Sequence, residues 1–398
     1  MRAVGVLYGM RVFPRPRGRI RPASELPMRP RPLMSSRSPL RPASWAFLLV
    51  LAISSVGVGA PPYSREELAS PASLPKWARP VRVNVNENKP WSVFPGSRIS
   101  TSQMRRGAAQ LHYVVRNRRR SPNYPFWVLK LGQHFIDLEQ DRAAYQVLTH
   151  VIRLPADTPH TKKLKWLPTL DAVKVHSRFM LVRLLARNGL KKEVIHGLSA
   201  LPAATGYDAV RRAEALAMIG DSEGALALLP KARGGGHPER NFSNVFLTTR
   251  AVTLARCLGD AELTQRLAKP LVDRGLNSQK WPQWKSAWSI MSTTAANAAK
   301  GSLPDPKTIP EGAYEGECGG FVAPIRVAVD VADGRLSKVR ILSHKENRSW
   351  SALTVIPQRI CRRQDLMVDA VTGATITSCA VVAAVDQALT VAAAERAE

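Results

Sequence analysis

The hydrophobic period of the chain changes once, at Gly301-Ser-Leu-Pro-Asp-Pro306, and this change restricts what the chain can fold into. Before it, from Tyr124 onward, apolar residues recur at i, i+3 and i+4, the spacing of helices with one buried face. After it, Tyr314-Glu-Gly-Glu-Cys-Gly-Gly320, Ile325-Arg-Val-Ala-Val-Asp-Val331 and Leu336-Ser-Lys-Val-Arg-Ile-Leu342 read as three short strands. Asp333-Gly334 separates the last two and predicts a tight hairpin, because both residues tolerate positive φ. A helix near 349–363 and an Ala/Val-rich helix ending near Ala394 complete the pattern. The expected architecture is multi-domain: an α-helical repeat built of hairpins over 122–300, then a small α+β domain with an antiparallel sheet over 308–394.

The helical stretch carries a recurring theme. Leu131, Gly132, Phe135, Ala144, Leu148, Val151 and Pro155 set it out; it returns in 213–230 and 254–263, and more weakly in 184–194. A glycine in such a pattern is expected to let two antiparallel helices approach. Gly189, Gly220 and Gly259 are spaced 31 and 39 residues apart, so the repeat is irregular. The stretch resembles a divergent tetratricopeptide-like array. That resemblance implies a groove for a peptide or partner protein, with a scaffold that only holds the next domain as the equal alternative. His134, His150, His176 and His196 are dispersed over the region and are given no ligand role.

Composition narrows the classes. The net charge is +28, and residues 1–44 hold ten arginines against Glu25 alone. These arginines alternate with prolines, lack lysine and abut an apolar segment, so no nucleic-acid partner is expected. The uncharged segment 42–64 is centred on Trp45-Ala-Phe-Leu-Leu-Val-Leu-Ala-Ile53, with Arg37 and Arg41 before it and small residues up to Ala60 after it. That order is a secretory signal, and residues 1–60 are expected to be a basic leader with a signal peptide or anchor. Met34 opens a signal of ordinary length, so residues 1–33 read as an over-extended start or an unstructured leader. The protein is expected to be exported, to a periplasm or the outer face of the cytoplasmic membrane. Residues 61–97 are rich in proline, and 61–121 reads as a linker with one helice-forming stretch near 99–119.

The chemistry gathers near the C-terminus. In Val368-Asp-Ala-Val-Thr-Gly-Ala-Thr-Ile-Thr-Ser378, four hydroxyls (Thr372, Thr375, Thr377, Ser378) fall within seven residues. Gly373 and Ala374 keep the loop slim, and a helix begins directly afterwards, with free N–H groups and the positive end of its dipole. Such a loop suits an anion, above all a phosphate. A plain N-cap explains the hydroxyls equally well on spacing alone.

Glu311-Gly-Ala-Tyr-Glu-Gly316, the Asp-Gly hairpin, His344-Lys-Glu346 and Asp369–Ser378 stand in the order and spacing of the FMN-binding domain family. This family includes peripheral flavin-bearing subunits of the sodium-pumping NADH:quinone oxidoreductase and of Rnf-type complexes. The resemblance implies FMN as cofactor, moved from FAD by a flavin transferase onto a threonine as a phosphoester. Carried onto this chain, the acceptor is Thr375, with Asp369, Thr372, Gly373, Ala374, Thr377 and Ser378 around it. His344 and Glu346 match a motif near the cofactor, and Trp350 is a candidate wall for the flavin ring or a core residue. Asn347-Arg348-Ser349-Trp350 departs from the commoner Thr-containing, Gly-rich continuation. The implied role is an electron-transfer flavoprotein working with redox partner proteins or a membrane electron-transport complex. A scaffold with non-covalent FMN and a flavin-dependent reductase are the alternatives. A Cys318–Cys361 disulfide, and for Cys379 either a redox thiol or a small buried side chain, stay open.

Overall fold

The computed structural model describes residues 63–86, 101–161, 169–202, 206–232, 242–272, 285–346, 350–368, 370–371 and 375–396. The expected leader and signal lie outside them. Helices fill the first part: α1 (Arg65–Ala69), α2 (Thr101–Asn117), α3 (Tyr124–Asp137), α4 (Asp141–Ile152), α5 (Leu170–Arg187), α6 (Lys191–Ser199), α7 (Tyr207–Met218), α8 (Ser222–Leu228), α9 (Phe242–Cys257), α10 (Ala261–Val272) and α11 (Lys285–Ala298). The strands β1 (Gly312–Gly319), β2 (Pro324–Ala332) and β3 (Arg335–Ser343) follow, then α12 (Trp350–Arg363) and α13 (Thr375–Glu395).

Successive helices pack as pairs, α3 on α4, α5 on α6, α7 on α8 and α9 on α10. Local chemistry starts them. Ser64 and Glu67 form a capping box on α1, Thr169 Oγ1 accepts from Ala172 N on α5, and Asp221 accepts from Gly224 N on α8. The glycines divide into two roles. A Cβ on Gly132 would press on Leu148 Cδ2 at 2.8 Å, so this glycine does let α3 and α4 approach. Gly189, Gly220 and Gly259 do not act in that way. They have φ of +71°, +80° and +78° and nothing within 4 Å of an added Cβ. Each ends a helix in the left-handed conformation, where an L side chain is strained. The repeated glycine therefore marks helix ends rather than helix contacts.

The Pro-rich segment 63–86, read from the sequence as linker, is laid against the helical pairs. Leu68 and Ala78 are fully buried. Tyr63 N donates to Asn188 Oδ1 at 3.0 Å, Arg142 donates to Ser70 Oγ and Pro71 O, both at 2.6 Å, and Gln146 donates to Ser70 O at 2.6 Å. Away from α1 and the turn at Lys76–Ala78, extended chain leaves carbonyls without helical partners. The side chains of α4 use those oxygens.

The sheet has the order β1-β2-β3, antiparallel throughout. Asp333 (φ +53°) and Gly334 (φ +66°) turn β2 into β3, as the sequence predicts. Ile325, Val327, Val329 and Val331 are buried, and α13 packs on β1 and β2 while α12 packs on β3. At Gly316 the approach is backbone to backbone, since a Cβ there would collide with the carbonyl of Ala384 in α13.

α13 is long and apolar enough to cross a membrane by length and composition. Here it is the core helix. Its other sides meet α11, α12 and α9, and one continuous apolar cluster runs from Ala209 and Leu254 through Ile290 to Val329 and Ala384. A buried ion pair joins the two parts. Arg256 Nε of α9 lies 2.9 Å from Asp386 Oδ1 of α13, Arg256 Nη2 donates to Thr390 Oγ1 at 2.8 Å, and a third donor meets the Gly301 carbonyl. Burial pushes the Asp386 carboxyl up, and Arg256 opposes that shift. A buried pair of this kind adds little net stability, while removing one partner is costly. All four cysteines are free, so Cys318 and Cys361 are not bridged.

Two tests follow from this packing. Arg256→Ala leaves a buried carboxylate unpaired and should cost about 3–5 kcal/mol in denaturant unfolding, where Asp386→Asn in the same background should recover part of the loss. His134, buried in α3, is held neutral: burial pushes it down to about 4 from 6.5, and Lys130 adds to the effect. His176 is shifted the same way by burial and by Arg211. The unfolded chain takes up these protons first. The stability from neutral burial is therefore complete above pH 6.5 and is lost as pH falls toward 4, by about 3 kcal/mol for His134. Thermal melts across this range should show the loss, with a shallower slope for His134→Gln.

Candidate functional site

Three segments meet at the N-terminal end of α13. They are the turn between β1 and β2 (Gly320–Ala323), the segment after β3 (His344–Glu346) and the first turn of the helix. Glu346 ties them together. It is 3% exposed; its Oε1 accepts from Val322 N at 3.1 Å and its Oε2 from Thr377 Oγ1 at 2.8 Å. Gly320 is required here, because a Cβ would occupy the place of the Glu346 carboxylate and the Ala323 carbonyl. His344 is exposed, and its Nδ1 accepts from Glu346 N at 3.2 Å. With Nδ1 as acceptor, the neutral ring carries its hydrogen on Nε2.

The helix start sorts its hydroxyls by depth. Thr377 (2% exposed) is engaged with Glu346, and Ser378 (1% exposed) accepts from Val371 N at 3.1 Å. Both hold the loop and helix to the domain. Thr375, the first helical residue, is exposed. Its hydroxyl sits at the positive end of a 21-residue helix, where amides of the first turn lack intrahelical acceptors. An accessible hydroxyl beside such amides suits a phosphate group, so the residues present fit a phosphate-bearing cofactor. Phe321 and Val322 add exposed apolar surface (38% and 48%) at the neighbouring turn. Asp369, Thr372, Gly373 and Ala374 lie outside the described residues. Trp350 opens α12, and the ring contact expected of it concerns a side chain outside the described set.

Residues 320–390 match the family model described as FMN-binding domain. This segment is an FMN-binding domain. FMN is the cofactor that the match indicates, and the matched residues run from the β1–β2 turn through most of α13. β1 precedes the match yet completes the sheet on which the FMN-binding domain is built. No curated protein and no solved structure matches the chain.

Cys379 lies in the first turn of α13, where a helix dipole favours a thiolate. Desolvation wins: burial pushes the thiol up to about 11, although Arg250 pulls the other way. Burial likewise pushes Cys318 up to about 12. Both are small buried side chains at neutral pH, so the redox-thiol reading of Cys379 gives way to packing.

On the other face of the helix start, Ser378, Cys379 and Val382 line a cavity of about 40 Å³. Its far wall is made by the helical region, through Glu214 of α7 and Thr249, Arg250, Thr253 and Leu254 of α9. Arg250 Nε donates to Glu214 Oε1 at 2.6 Å, and Arg183 Nη2 of α5 lies 3.3 Å from Glu214 Oε2. Burial opposes charge on Glu214, but Arg250 and Arg183 outweigh it and hold the carboxyl below its ordinary value. Sequence reasoning misses this wall, because no local motif links α7 and α9 to residues at the other end of the chain.

The Glu346–Thr377 bond yields a test. Thr377→Val removes this donor to the buried Glu346 carboxylate, at a cost of about 1–3 kcal/mol in chemical denaturation. Thr377→Ser should restore most of it.

Proposed function

We propose that the protein is an exported electron-transfer flavoprotein that carries FMN on Thr375 as a phosphoester. The observation that supports this reading is the sorting of hydroxyls at the helix start. Of Thr375, Thr377 and Ser378, only Thr375 is exposed; the other two are buried and hydrogen-bonded within the protein. A transferase needs an acceptor that it can reach in the folded domain. No base lies beside Thr375 in the sequence, and a threonine hydroxyl is a weak nucleophile. The transferase supplies the base and takes the hydroxyl proton. Thr375 Oγ forms the new bond to phosphorus, the pyrophosphate bond of FAD breaks, and AMP leaves.

FMN supplies reversible one- and two-electron chemistry when bound. The chain's own part is to hold it. The first-turn amides of α13 would hold the phosphate, Glu346 fixes the helix start against the β1–β2 turn, and exposed His344 is tied to Glu346 through its Nδ1. Export follows from the order of basic flank, apolar core and small residues before Ala60. The partners proposed are a flavin transferase for maturation and redox proteins of the cell envelope for turnover.

Co-expression with a flavin transferase tests the acceptor. Wild-type protein should gain the FMN mass and fluoresce in a denaturing gel. Thr375→Ala should lose both while its melting temperature stays within a few degrees, because an exposed hydroxyl at a helix start contributes at most about 1 kcal/mol. Thr377→Ser should keep the covalent flavin. If label persists in Thr375→Ala, the acceptor is another hydroxyl. If wild type never gains the mass, the covalent reading fails.

A further inference from the structure

The cavity between α9 and the start of α13 joins the helical region to the FMN-binding domain, and its chemistry is not that of a packing defect. Its apolar lining includes Leu254, Ile356, Leu366 and Val382, and among the described residues its charged lining is Glu214 and Arg250. Glu214 is 6% exposed and is held between two guanidinium groups, Arg250 on Oε1 and Arg183, whose Nη2 lies 3.3 Å from Oε2. Keeping a charged Arg–Glu pair in such a wall is costly, and apolar residues would fill the space at less cost. The cavity also lies in line with the proposed acceptor. Thr375, Ser378, Cys379 and Val382 are spaced i, i+3, i+4 and i+7, so they form one stripe along α13. The lining begins about one turn, roughly 5.4 Å, along the helix from Thr375. At about 40 Å³ the cavity has room for a protruding polar edge or a water, not for a whole ring system.

We propose that this cavity is a part of the flavin site supplied by the helical region, in which Arg250 donates to a ring carbonyl oxygen of FMN and Glu214 accepts from the adjoining ring N–H. The pyrimidine edge of the flavin ring presents an N–H between two carbonyls, and a guanidinium beside a carboxylate matches such an edge in donors and acceptors. The inference rests on FMN being carried at Thr375. It extends that reading by making the helices a functional wall, and it assigns Arg250 as the residue through which the helical region sets the flavin potential. A positive charge at the ring favours the more electron-rich reduced form.

The experiment uses full-length protein flavinylated by co-expression, with loading established by intact mass. Arg250→Met should lower the midpoint potential and shift the visible absorption of the bound flavin, and Arg250→Lys should recover most of both. In the Thr375→Ala background, Arg250→Met should weaken binding of free FMN about tenfold, as for one lost charge-assisted hydrogen bond. Arg183→Met is the control for a merely structural role. Arg183 pairs with the same Glu214 but does not line the cavity, so this variant should lower thermal stability with little change in potential. A loaded, folded Arg250→Met protein with unchanged potential and FMN affinity overturns the inference and leaves the acceptor assignment standing. An equal shift in Arg183→Met overturns it as well. Should Arg250→Met not fold, Glu214→Gln carries the test: unchanged absorption and FMN affinity there overturn the proposal. A wild type that takes up no FMN overturns both readings.

Discussion

A helix without a polar stripe has to be covered on every side, and α13 is such a helix. Its buried residues are mostly alanine and valine, and they point in all directions around the axis. The three-stranded sheet covers one side, with the closest approach at Gly316, where only hydrogen fits between β1 and the backbone of α13. The sheet and α12 leave the remaining side open. Helices α9 and α11 close it, with Asn297 Nδ2 donating to the Ala383 carbonyl at 3.2 Å and Arg256 meeting Asp386. The helical region is therefore part of the core of the FMN-binding domain. A fragment cut to residues 320–390 would lack β1 and would expose the face of α13 that α9 and α11 cover.

The same demand shapes the site. Because α13 is fixed along its length, its first turn has a fixed place, and the polar groups around it are drawn into defined pairs. Glu346 holds one face through Thr377, and Val371 reaches Ser378. The other face looks across the cavity to Arg250 and Glu214. The helix start is thus held from two sides by different parts of the chain, and Thr375 alone of its described hydroxyls is left exposed.

Much of the C-terminal domain was legible in the sequence because its signals are local. The alternation in 325–331 and 336–342 gives β2 and β3, and Asp333-Gly334 gives their turn; each of these depends on neighbours a few residues away. The helical pairs were legible for the same reason. The glycines were misread, since a sequence shows that Cβ is missing but not which of its two consequences is used. At Gly132 it is space, and at Gly189, Gly220 and Gly259 it is positive φ. The segment 63–86 was misread because proline suppresses periodicity, and binding through carbonyls to Arg142 and Gln146 leaves no pattern in the segment itself. Glu346 was found only through a motif resemblance; its bond to Thr377 spans two elements. Glu214 and Arg250 had no signal at all, as ion-paired residues on amphipathic helices read like any solvated pair.

The exposure of Thr375 also bears on the order of events in the life of the protein. An acceptor buried until its cofactor arrives would tie folding to cofactor supply, and a chain starved of flavin would be left open. Here the helix is complete to its first residue, and the hydroxyls that close the core are bonded within the protein. On the proposed attachment at Thr375, folding and loading would be separable, and an apo-protein would persist as a folded reservoir. The supply of flavin would then set how much of it is active, without setting how much of it survives.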